Sequence, residues 1–137
     1  METEISVHDN ALVSYTVQCE ERQIHLHTIY RDREPYEYTD VVFTEVVAYH
    51  FEADNFNTIL FDIKEVTVEA VYAAYRDLFV SKKNYGWPAI TYQSEAELLD
   101  KLREEGIKGF AIASSYGMDG FVLAKAMQRV TATTKAE

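Results

Sequence analysis

The chain holds one cysteine, Cys19, among 137 residues, which excludes an internal disulfide and any cysteine-rich zinc site. Glycine is scarce too, at five, and none of the five falls in the spacing of a phosphate-cradling loop or a dinucleotide-binding turn, so no nucleotide cofactor is expected. Ser114 and Ser115 lack the G-x-S-x-G elbow that presents a nucleophilic hydroxyl. No stretch approaches the ~18 apolar residues needed to cross a bilayer. The opening METEISVHDN has neither the basic region nor the apolar run of a signal peptide. The expected compartment is the cytoplasm, with no membrane contact.

What the chain does have is apolar mass and acid. Apolar residues make up 47%, enough for one core, so residues 1–137 are read as a single domain whose tail, 131–137, frays. Net charge is -10, and it is uneven: through Val66 fourteen acids face four bases, and beyond it nine face nine. Such a surface repels phosphate backbones, which argues against nucleic acid, and speeds encounter with a cationic protein. The competing explanation is a solubilising face with no partner.

Alternation from Ala11 to Cys19 has the period of a half-buried strand, and Ile24 to Tyr30 repeats it after a polar turn, giving a hairpin. A long third strand is expected over about Thr39–Glu52 and a fourth over FNTILFDI. The period then switches to three and four across Val66, Val68, Val71, Tyr72, Tyr75, Leu78 and Phe79, with Thr67 as the cap of a helix. Ser94 with Glu97 forms a capping box for a second helix, striped by Leu98, Leu99 and Leu102 and stopped by Gly106. GFAIASS and GFVLAKAMQRV close the chain as two strands. The order ββββααββ predicts an α+β fold, a mostly antiparallel sheet of about six strands with two helices packed on it. The segment 81–93, SKKNYGWPAITYQ, is long for a loop and is therefore either functional or pinned by its own side chains.

Three groups of residues carry candidate chemistry. His25 and His27 project from one strand face and can share a metal if His50, His8 or a carboxylate such as Glu45 converges on them; ordinary surface histidines are the alternative. Cys19 has no neighbouring base or helix start to activate its thiol, so a buried structural role is expected. Tyr30, Tyr36 and Tyr38 are interleaved with Asp32, Glu34, Glu37 and Asp40 around Pro35, which disfavours a central strand and points to an exposed loop or edge. Tyrosines supply rigid anchors and carboxylates pair with basic groups on a partner. In the alternative, these rings cover the sheet edge and the charges face water, with Arg31 and Arg33 satisfied locally. Trp87 is either a further anchor or a plug beneath its loop.

The run REPYEYTDVVFTEVVAYHFE, then ILFDI, then YGWP, resembles a family of small uncharacterised bacterial proteins, and the pattern is similar to toxin-immunity proteins. The resemblance implies an acidic binder that blocks a partner and carries over no catalytic residue. The leading expectation is a non-enzymatic binding domain for a cationic protein, using Tyr36, Tyr38, Glu34, Glu37, Asp40 and Trp87. The alternatives are a small metal-dependent hydrolase or ligand-binding protein built on His25, His27 and His50, and a structural subunit whose long strands pair across a homodimer.

Overall fold

The computed structural model describes residues 5–132. The alternating segments become β1 (Ala11–Gln18), β2 (Gln23–Tyr30), β3 (Glu37–Glu52), β4 (Ile59–Val66), β5 (Lys108–Tyr116) and β6 (Asp119–Ala132). All neighbours are antiparallel, and the sheet curls into a closed barrel in the order β1-β2-β3-β6-β5-β4. One side of each alternation points inward: Ile24, Leu26, Val41, Phe43, Ile63 and Val122 are among the buried side chains of the interior. Burying each such side chain contributes about 1.5–3 kcal/mol. The two longest strands, β3 and β6, pair with each other from Tyr38 opposite Ala132 to Glu52 opposite Asp119.

The barrel closes through a short seam. Ala11 stands opposite Ile59, Leu12 N donates to Thr58 O at 3.0 Å, and Asp9 N donates to Leu60 O at 2.9 Å. Val7, just ahead of the seam, is wholly buried in the barrel core. Beside it Asn10 Nδ2 donates to Thr28 Oγ1 at 3.0 Å, and Thr28 Oγ1 donates to Thr39 O at 2.7 Å. This buried relay satisfies polar groups that would otherwise be costly inside the barrel.

Helices α1 (Val68–Ala74), α2 (Arg76–Lys82) and α3 (Glu95–Glu104) form an outer layer, with a 3-10 turn at Lys83–Tyr85. Their side chains Val71, Tyr72, Phe79 and Leu98 pack with Ala48, Phe121 and Leu123 from the outside of β3 and β6. Thr67 caps α1, its Oγ1 accepting from Ala70 N at 3.0 Å. The one helix expected over this stretch is two, because Tyr75 leaves helical geometry at φ -123 and ψ 28. Its ring sits 4.7 Å from Phe121 and 5.7 Å from His50, so packing on the barrel, rather than a glycine or proline, sets the break. Ser94 caps α3 as expected, accepting from Glu97 N at 3.2 Å, while the Glu97 carboxylate reaches back to Gln93 N at 3.1 Å. Gly106 ends that helix region at φ 74.

Other boundaries shift. β4 starts at Ile59 and runs to Val66, because Asn55, Asn57 and Thr58 tie residues 55–58 into a turn that leaves Phe56 fully exposed. β6 includes Thr131 and Ala132, paired with Thr39 and Tyr38; the rest of the segment expected to fray lies outside the described residues. The long 81–93 segment is pinned: Pro88 and Tyr92 are buried, and Lys101 Nζ donates to Thr91 O. Among the described residues no helix is long and apolar enough to cross a membrane.

Candidate functional site

Residues 31–36 join β2 to β3 as an exposed loop, with Glu34–Pro35 in the cis form. Tyr36 presents 47% of its surface. Tyr38, one pair into β3 and opposite Ile29, is half-buried. The carboxylates around them differ in what they already hold. Glu37 Oε1 accepts from Arg33 Nη2 at 2.6 Å, and Asp40 Oδ1 lies 3.0 Å from His27 Nδ1, directly across the ladder. Asp32 and Glu34 are exposed, and neither is ion-paired among the described residues. Of the six side chains expected from sequence, Tyr36 and Glu34 are exposed, Glu37 and Asp40 already hold Arg33 and His27, and Tyr38 and Trp87 are half-buried. Of the alternative reading, the Arg33 part holds, since Arg33 is satisfied by Glu37, but no ion pair holds Arg31 among the described residues and Tyr36 does not cover the sheet.

The histidines do not converge. His25 and His27 share the outward face of β2, ring centroids 6.2 Å apart, and His25 Nε2 is 2.9 Å from Gln23 Oε1. His50 sits on β3 eight residues beyond Val42, the residue opposite His25, which is roughly 25 Å at strand rise. It packs against Tyr75 and Phe121 and lies 3.6 Å from Glu52. Among the described residues no group of three His, Cys, Asp or Glu side chains is placed to hold a metal ion.

Trp87 is half-buried, 5.0 Å from the Phe79 ring and 6.3 Å from Phe121. It mainly plugs the helix layer. Cys19 overturns its expectation: it is exposed, because the strand ends at Gln18 and the cysteine falls in the β1–β2 turn. That turn borders a cleft of about 310 Å³, lined by Val17, Cys19, Arg22, Val47, Tyr49 and Trp87 among others. Beside it β3 parts from β2 after Phe43 opposite Ile24, takes a left-handed φ of 53 at Glu45 and bulges against β6 between Val46 and Ala48. Val46 N then donates to Arg22 O at 2.9 Å, holding the turn over the bulge.

From Tyr49 an aromatic row leads away from the cleft. Tyr49 is 5.2 Å from Phe51, Phe51 is 5.5 Å from Tyr15, and Tyr15 Oη donates to Asp54 Oδ2. That carboxylate, with burial and its negative charge adding to the hydrogen bond, pushes the Tyr15 phenol up to about 12. Sequence reading missed this row because its members sit on β1 and β3, which are not adjacent strands. It missed the cleft because only the fold brings residues 17–24, 46–49 and 86–89 together.

The acids of the first half also separate in space. Asp32, Glu34 and Glu37 lie at one end of β2 and Asp40 stands opposite His27 midway along it, whereas Glu20 and Glu21 in the β1–β2 turn and Glu45, next to Val46 whose N donates to Arg22 O, lie toward the other end. The seven steps of β2 between these ends span roughly 23 Å. Compared with known proteins, the chain matches no family model, no curated protein and no solved structure.

Proposed function

We propose that the protein is a non-enzymatic binding domain that docks a cationic protein through its acidic surface, with Tyr36 as the anchor and Glu34 and Asp32 as charged neighbours. The carrying observation is Tyr36, which leaves 47% of its surface in water on a loop whose two adjacent acids are not ion-paired among the described residues. An aromatic body beside uncommitted carboxylates suits a basic contact surface, while the net charge of -10 draws the partner in from a distance. The narrower form of the reading is an immunity protein that neutralises a bacterial toxin, supported by this charge and by the likeness of the REPYEYTDVVF pattern.

The test starts from an untagged pull-down in the native host, or from the product of the neighbouring reading frame, and measures binding kinetics with the purified partner. Tyr36→Ala should weaken affinity by about tenfold or more, chiefly through faster dissociation. Tyr38→Ala should matter less, since that ring is already half covered. Raising salt should slow association. Unchanged affinity for Tyr36→Ala would remove the anchor.

A further inference from the structure

We infer that the cleft between the β1–β2 turn, the β3 bulge and the Gly86–Ala89 loop binds a small carboxylic acid with an apolar body, its carboxylate held by Arg22; the inference goes beyond the docking loop at Tyr36 and does not depend on it. Size is the first argument. About 310 Å³ lies at the small end of the ~300–1,000 Å³ range of ligand clefts, room for a short hydrocarbon chain or a single ring but not for a helix. The lining is the second. Val17, Val47 and Ala48 supply apolar surface, and Tyr49 and Trp87 supply aromatic surface. Removing an apolar body from water against such side chains is the usual source of affinity in a ligand cleft.

Charge is the third argument, and it sets the sign of the ligand. The lining holds one charged side chain, the guanidinium of Arg22, and no acid. Arg22 is exposed and in no ion pair among the described residues, so its planar fork is open to a carboxylate, which it meets through two parallel hydrogen bonds. The backbone beneath it is fixed: Val46 N donates to Arg22 O at 2.9 Å, and Arg22 takes a left-handed φ of 55. Gln23, also in the lining, has its Oε1 2.9 Å from His25 Nε2, which leaves its amide nitrogen to donate to the same carboxylate. Glu20, Glu21 and Glu45 are close in the chain but exposed and outside the lining. Salt screens their repulsion over about 8 Å, whereas the Arg22 contact is direct.

Two single-copy residues make occupancy readable without any variant. Trp87 is the one tryptophan of the chain and Cys19 the one thiol, and both line the cleft. Hexanoate, which does not absorb in the tryptophan band, should change Trp87 emission saturably at about 0.15 M salt, with a dissociation constant near the ~1 mM that so small a ligand reaches. It should slow alkylation of Cys19 by iodoacetamide, followed by intact mass, over the same concentration range. Hexanol and hexylammonium keep the chain without the negative charge, and acetate keeps the charge without the chain; each should bind at least about tenfold more weakly. Arg22→Gln should bring hexanoate down to the level of hexanol, while Arg22→Lys keeps part of the preference. Ala89→Phe, which fills the cleft from an exposed lining position, should weaken hexanoate and hexanol alike. Glu20→Gln with Glu21→Gln should tighten hexanoate, by about twofold.

Hexanol binding as tightly as hexanoate overturns the inference, because the cleft is then an apolar patch that reads no charge, and so does an Arg22→Gln variant that keeps the preference. Acetate matching hexanoate overturns it from the other side, leaving an anion at Arg22 that makes no use of the cleft. The absence of a saturable change in both signals up to about 10 mM removes the site altogether. Tyr36→Ala should leave the hexanoate constant unchanged, so the docking loop and the cleft stand or fall separately.

Discussion

Tyr15 shows how one contact sets the behaviour of a side chain. Its phenol donates to Asp54, and ionising it would place two negative charges against each other, hence the rise to about 12 from an ordinary 10. The folded state holds this proton more tightly than the unfolded chain does, so the stability it lends is complete below pH 10 and disappears as pH climbs toward 12. A tyrosinate absorbance titration of the ten tyrosines should show a late-ionising ring that is absent in Tyr15→Phe. Coincident titration of wild type and variant would sink the contact. Nothing near Tyr15 in the chain announces it: Asp54 is thirty-nine residues away and reaches it only through the turn after β3. By contrast, the exposure of Tyr36 was legible, because Pro35 beside clustered charges disfavours a paired strand.

At the scale of elements, the caps and periods were readable and the junctions were not. Thr67, Ser94 and Gly106 do what their residue types dictate, and each strand overlaps the stretch that alternation marked, with β4 displaced by three residues to Ile59–Val66. Closure of the sheet left no local mark, since Ala11 and Ile59 meet across forty-eight residues of chain. The break at Tyr75 was likewise invisible, being imposed by Phe121 and His50 from the barrel. Gly109 is a case where an element depends on what is missing: a Cβ there would stand 2.7 Å from Val71 Cγ2 and 3.1 Å from Val66 Cγ2. Gly109→Ala should force α1 off β5 and cost about 1–3 kcal/mol, seen as a lower thermal midpoint. An unchanged midpoint would mean that α1 does not press on this strand.

For the whole molecule, the barrel distributes stability unevenly. β3 and β6 share the longest ladder and carry both cores, one on each face. The β1–β2 hairpin is joined to β4 only near Ala11 and Leu12. Hydrogen exchange followed by mass spectrometry should leave peptides from β3 and β6 protected longest and release the β1–β2 turn first. Early exchange in β6 would contradict that order. The net charge of -10 sets like copies repelling one another, yet it acts on the finished barrel. β6 lies between β3 and β5 and is made after both, so during synthesis on the ribosome a sixteen-residue β3 waits with an unfilled slot along one flank. A nascent chain halted before Asp119 would therefore offer a sticky template to its neighbours, and the arrival of β6 is what shields both flanks at once.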